Sequence, residues 1–208
     1  AHRTREKEAC DIGRQMIRQA NRRNATQMPR LFTAIEIPEI VRAQLALVRG
    51  NLPGANWIEM ENYHLTIRFF GDIGNLEADE IVSVLARVAF DPFELRITGL
   101  GVFGGREPRS LFAGVADTEP LNALQRASER AARAANLPPE TRAFRPHITL
   151  ARLKNAKPEM VARFLSTRLA WPYSVDQFVL MSSRPGVGGG PYVCEERFHA
   201  RPAWDAAQ

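Results

Sequence analysis

Apolar positions along this chain follow two rhythms, short dense or alternating runs and wider helical spacing. Arg30 to Ile37 (RLFTAIEI) reads as a strand. Pro38 to Gly50 reads as a helix, with proline near its first turn and glycine at its end. Trp57-Ile58 starts a short strand, and Tyr63 to Phe70 forms a longer one that Gly71-Asp72-Ile73-Gly74 breaks. Ile81, Val84 and Leu85 give Leu76 to Ala89 a helical face. Phe93 to Phe103 and Leu111 to Val115 read as a hairpin around Gly104 to Ser110. Glu119 to Asn136, rich in Ala, Leu, Glu and Arg, is a helix. The proline-rich connection Leu137 to Pro146 leads into a strand that begins at His147. Lys157 to Leu169 is a further helix. Tyr173 to Met181 and Tyr192 to Phe198 are strands joined by Pro185 to Pro191, with its Gly188-Gly189-Gly190 run. Strands outnumber helices and many neighbours are hairpin-like. The expected class is α+β with antiparallel sheets flanked by helices, not a doubly wound parallel sheet.

Two of these strands carry chemistry. His64-Leu65-Thr66-Ile67 and His147-Ile148-Thr149-Leu150 repeat one pattern. Alternate strand residues share a face, so His64 and Thr66 point one way while Leu65 and Ile67 enter a core. Ile148 and Leu150 do the same in the second copy. At average composition a given histidine meets this pattern roughly 1% of the time. Two such hits among four histidines therefore read as an internal duplication. Their spacing suits two lobes of one domain rather than a solenoid repeat.

Two imidazoles and two hydroxyls suit acid–base chemistry on a phosphate. Hydrolysing a phosphodiester needs a base for the attacking water and an acid for the departing oxygen. The attacking and leaving oxygens lie roughly in line across phosphorus, so one group is wanted on each side. Histidines titrate near the working pH. Thr66 and Thr149 can donate to the non-bridging oxygens, where charge builds up. The sequence offers no metal-ligand cluster and the chemistry requires no metal or cofactor.

At these residues the chain resembles the 2H phosphoesterase superfamily, specifically the bacterial and archaeal RNA 2′,3′-cyclic phosphodiesterases, also called 2′-5′ RNA ligases. RLFTAIEIP, LPGANWIEMENYHLTIRFFGDI and FRPHITLARL carry the resemblance, which covers about Met28 to Ala200. It implies two pseudo-symmetric lobes with the active cleft between them, the first-lobe motif at 64–67 and the second at 147–150. It implies His64 as proton donor to the leaving O3′ and His147 as proton acceptor from water, leaving a 2′-phosphate. The residues alone do not say which histidine is which. It also implies a 2′-5′ ligase activity and, as substrate, RNA with a 2′,3′-cyclic phosphate end, for which tRNA fragments are one source. Two other readings stay open: a 2H enzyme acting on small cyclic nucleotides or 2′-5′ oligoadenylate, and a non-catalytic RNA-end binder.

Arg152 matches a basic, phosphate-binding position of the family's second motif. Its odd offset from His147 puts it on the opposite strand face unless the strand bulges. Arg68 has the right parity with His64. Solvent exposure is an equal alternative for both arginines. Phe103, Phe144 and Tyr63 could line a base-stacking pocket, although phenylalanine is mostly buried.

Composition bounds the rest. A chain of 208 residues can bury a real core in one compact domain or two intimate lobes. The sequence shows no apolar run of membrane-spanning length and no secretory leader. Cys10 and Cys194 make no disulfide framework. A cytoplasmic monomer is expected. The basic pI of 9.8 comes mostly from residues 1–27, which hold seven basic and three acidic side chains, +4 of the chain's +5. Binding by residues 28–208 must then depend on a local cleft potential rather than a basic face. In the extension, Ala9, Ile12, Met16, Ile17 and Ala20 make an apolar stripe at helical spacing. A docked amphipathic helix is favoured there over a basic RNA-binding arm.

Overall fold

The structure, a computed structural model, describes residues 30–166, 169–183 and 192–201. The N-terminal extension and the glycine run at 188–190 lie outside the described residues. In chain order the elements are β1 (Arg30–Glu36), α1 (Glu39–Ala46), β2 (Ala55–Trp57), a 3₁₀ turn (Met60–Asn62), β3 (His64–Asp72) and α2 (Asn75–Leu85). They continue with β4 (Phe93–Phe103), β5 (Ser110–Val115), α3 (Glu119–Ala134), β6 (His147–Leu153), α4 (Pro158–Leu165), β7 (Pro172–Val175), β8 (Gln177–Ser183) and β9 (Tyr192–His199).

The described strands form one antiparallel sheet in the order β7-β4-β5-β6-β3-β1-β8-β9, with β2 beside β6. The two motif strands, β6 and β3, are neighbours at its centre. Four strands run outward on each side of that junction. The halves do not follow the chain's order: β1 and β3 take their outer partners from β8 and β9, near the C-terminus. Three helices are shorter at their C-terminal ends than the pattern suggests. The apolar periodicity continues into turns after Ala46, Leu85 and Ala134, where the backbone leaves the helix.

Two strand expectations are corrected: β2 ends at Trp57 rather than starting there, and the other concerns β7 and β8. Tyr173 to Met181 is not a single strand. Strand pairing breaks at Asp176, so that β7 pairs with β4 at one edge and β8 pairs with β1 in the other half. The apolar pattern breaks at Asp176-Gln177, between the alternating Tyr173 and Val175 of β7 and the dense apolar run from Phe178. The Asp176 carbonyl accepts the Ala200 amide there, at 2.6 Å.

The main core fills the helix-covered side. Leu65, Ile67, Ile148 and Leu150 of the motif strands meet Val41 and Leu45 of α1, Ile81 and Leu85 of α2, and Leu121 and Leu124 of α3. Burying side chains of this size contributes roughly 1.5–3 kcal/mol each. Thr33 of β1 donates a hydrogen bond to Ser128 of α3 at 3.0 Å, so these two buried hydroxyls are paired. A smaller cluster under α4 joins Leu111, Ala151, Leu153 and Val161. The opposite sheet face carries Phe32, Ala34, Val179 and Met181, with Tyr192 packed over them. That face holds the candidate site.

Candidate active site

The junction of β3 and β6 is pinned by one registered pair, Leu65 opposite Ile148, both fully buried. Directly opposed residues share a sheet face. Their neighbours His64, Thr66, His147 and Thr149 are therefore displayed together on the other face. Antiparallel order around that pivot sets His64 toward Thr149 and Thr66 toward His147. All four line one cavity of about 720 Å³, together with Arg152.

Each imidazole is held the same way. His64 Nδ1 lies 2.8 Å from the Asn62 carbonyl, and His147 Nδ1 lies 2.7 Å from the Arg145 carbonyl. A carbonyl can only accept, so each Nδ1 carries a hydrogen and each Nε2 is left for the cavity. Aromatic rings fix the ring planes. His64 packs on Phe32 at 5.1 Å and edge-on against Tyr192 at 4.6 Å. His147 meets Phe103 at 4.9 Å and Phe112 at 5.4 Å, both edge-on.

Burial pushes the His64 imidazole down to about 4. The charges of His147 and Arg152 push the same way, while the Asn62 carbonyl opposes them. His147 is also lowered, by burial and then by Arg152, against the pull of the Arg145 carbonyl. In these surroundings both rings are neutral near pH 7. An anion between them reverses the effect of Arg152 and favours protonation.

Two register irregularities decide which arginine reaches the site. On β6 the pairing with β5 skips Leu150: Phe112 faces Thr149 and Leu111 faces Ala151. On β3 the pairing with β1 skips Ile67 in the same way. Each motif thus bulges one residue after its threonine, which restores even parity beyond it. Arg152 thereby joins the face of His147 and Thr149 and lines the cavity. Arg68, favoured by simple parity, is turned toward the interior and only 8% exposed, so it borders the cavity as a buried residue. Its Nε lies 2.7 Å from Glu129 of α3, and its guanidinium also donates to the carbonyls of Pro138 (2.7 Å) and Phe69.

The aromatic candidates separate. Phe103 and Phe144 line the cavity, while Tyr63 is 3% exposed and belongs to the core. Phe69, Tyr192, Gln125, Arg142 and Arg145 also line it and are not singled out by the sequence pattern. Phe69 is 50% exposed although it sits in a central strand. The parity rule without a bulge assigns it to the interior, which is why no pattern reveals it. Glu140 is gripped by Arg142 through two contacts of 3.1 and 3.0 Å, and that grip holds its carboxyl near 2. Among the described residues no group of three or more His, Cys, Asp or Glu side chains is placed to hold a metal. No helix among them is long and apolar enough to cross a membrane.

Known proteins similar to this chain identify its family. Residues 42–186 match the model of the 2′-5′ RNA ligase superfamily. A Geobacillus stearothermophilus protein named RNA 2′,3′-cyclic phosphodiesterase is 34% identical over 134 residues, 60% of this chain and 43% of that protein. An Aeropyrum pernix protein of the same name is 36% identical over 102 residues, 48% of this chain and 58% of that protein. The chain thus spans about half the length of these two relatives. The crystal structure of TT0787 from Thermus thermophilus superposes with a TM-score of 0.74 at 27% identity, over 84% of this chain and 99% of that one. With a family match that runs through both motifs and a fold shared almost end to end, the chain belongs to the 2′-5′ RNA ligase superfamily.

Proposed function

We propose that the protein hydrolyses RNA 2′,3′-cyclic phosphate ends to 2′-phosphates by metal-independent acid–base catalysis with two histidines. The observation that carries this reading is the matched pair His64 and His147, each fixed through Nδ1 to a backbone carbonyl and each facing one cavity. His147 Nε2 takes the proton of the attacking water, and His64 Nε2 delivers one to O3′ as the P–O3′ bond breaks. The phosphorus keeps its bond to O2′. This assignment follows the family resemblance. The protein's own surroundings would make His64 the later of the two to protonate, so substrate must supply the charge that returns its proton.

Thr66 and Thr149 donate to the non-bridging oxygens, and Arg152 offsets the phosphate charge. The half-exposed ring of Phe69, with Phe144 across the cavity, offers a face for the terminal base. Ligation uses the same groups with a 5′-hydroxyl in place of water, giving a 2′-5′ linkage.

The deciding experiment incubates the protein with a cyclic-phosphate oligonucleotide in EDTA and identifies the product phosphate. A 2′-phosphate formed at the untreated rate is expected. Activity lost in EDTA and restored by a divalent ion overturns the mechanism, and a mainly 3′-phosphate product overturns the assignment of the two histidines.

A further inference from the structure

The cavity carries more positive charge than one cyclic phosphate calls for. Its lining includes four arginines: Arg68, Arg142, Arg145 and Arg152. Two are compensated, Arg68 by Glu129 and Arg142 by Glu140. Among the described residues no carboxylate pairs with Arg145 or Arg152. A 2′,3′-cyclic phosphodiester is a monoanion, and Arg152, on the face of the two histidines, answers it. Arg145 remains.

The backbone fixes where Arg145 stands. It precedes Pro146, which restricts it to extended conformations. The Pro146 carbonyl continues the β5 pairing by accepting the Val115 amide at 3.1 Å, and the Arg145 carbonyl holds His147. Extended residues two apart share a side and stand about 6.6 Å apart at roughly 3.3 Å per residue. That span is of the order of the separation between the phosphates on either side of one ribose. The side chain is exposed and lines the cavity, so a ligand reaches it without displacing a partner.

We propose that Arg145 binds the phosphodiester on the 5′ side of the terminal nucleotide, so that the site takes an oligonucleotide end in preference to a mononucleoside cyclic phosphate. The inference rests on the hydrolytic reading above and assigns to Arg145 the contact one nucleotide upstream of the cyclic phosphate.

The test compares a dinucleotide ending in a 2′,3′-cyclic phosphate with the corresponding mononucleoside cyclic phosphate, for the wild type, Arg145→Met and Arg145→Lys. The wild type is expected to favour the dinucleotide in kcat/KM by about 10-fold or more, the scale of one charge-assisted hydrogen bond. In Arg145→Met that ratio falls toward one, and Arg145→Lys retains part of it. For the dinucleotide, the slope of log kcat/KM against log salt becomes shallower by about 0.7 in Arg145→Met, the change for one single-strand phosphate contact. A wild type without the preference, or a ratio and salt slope unmoved by Arg145→Met, overturns the inference and leaves the hydrolytic reading standing. Equal loss on both substrates also overturns it, because the change then acts through the carbonyl on His147. A wild type that turns over neither substrate overturns the hydrolytic reading itself.

Discussion

Phe69 and Arg152 occupy equivalent places in the two motifs. Each stands five residues beyond its histidine, and each is turned into the cavity by a bulge immediately after the motif threonine. The duplicated strands thus deliver an aromatic ring from one side and a guanidinium from the other. The same bulges exchange the fates of the two arginines. Arg152 reaches the site, and Arg68 becomes a buried tie between β3, α3 and the connection that begins at Pro138.

The two arginines should therefore fail differently. Arg68→Met leaves the largely buried Glu129 with only the longer 3.7 Å contact to Arg133, and breaking such a buried pair costs up to about 3–5 kcal/mol. A loss of that size in a chain this long lowers the melting temperature by roughly 6–20 °C. Arg152→Met removes an exposed charge and should leave the melting temperature within about 2 °C, while lowering kcat/KM on a cyclic-phosphate oligonucleotide by about 10- to 100-fold. Thermal melts and steady-state kinetics on both variants check this. Equal melting temperatures for the two would show that the buried tie does not hold the fold.

Much of this was legible from period-two patterning. Both motifs, their shared display and most strands follow from alternating faces and flanking aliphatics. What escaped has local causes. A bulge leaves no mark in the sequence, so simple parity alone sets Arg68 on the face of His64 and Arg152 off the face of His147, and only the resemblance brings Arg152 to the site. The break at Asp176 is a single residue between two β-rich runs, so β7 and β8 read as one strand. Phe69 reads as core because phenylalanine is mostly buried, and its exposure appears only once the register is known. Arg145 has no sequence signal because its importance lies in what does not pair with it.

The catalytic groups should behave as a unit. His64→Ala and His147→Ala should each lower hydrolysis by about 10²- to 10⁴-fold. The double variant should lose far less than the product of the two, since either loss already disables the proton transfer. Thr66→Val and Thr149→Val should cost about 10²- to 10³-fold if each supplies one donor to the developing charge. Single-turnover rates at saturating substrate measure all five. Multiplicative losses in the double variant would mean that the histidines act in separate steps.

Acid should destabilise the fold through the same histidines. Burial holds His64 near 4 and His147 below its ordinary value, whereas histidines of the unfolded chain titrate near 6.5. Between about pH 6.5 and 4 the unfolded state therefore binds more protons than the native one. Stability rises with pH across that window and is lost as pH falls through it. Urea unfolding at pH 7 and pH 5 should show the decline, and His64→Gln should reduce it. An unchanged pH dependence in that variant would place the acid sensitivity elsewhere.

Phe69 gives the sharpest test of how the ligand sits. Its ring is half exposed inside the cavity and tilted against Phe32 at 5.3 Å, whereas Phe103 stacks on Phe112 at 4.3 Å and Tyr192 packs on His64. A nucleobase has a π-face of matching size, and stacking of one base on an aromatic side chain is worth about 1–3 kcal/mol. Phe69→Ala should therefore weaken binding of a nucleoside 2′-phosphate by about 5- to 150-fold. Inorganic phosphate, which has no base, should inhibit the variant and the wild type alike, because Thr66, Thr149 and Arg152 are untouched. The melting temperature should move little, since the ring buries only part of its area. Calorimetric titration with the nucleotide and inhibition by phosphate separate the two contributions. Equal weakening for both ligands would mean that Phe69 shapes the β3 bulge and the phosphate site rather than receiving the base.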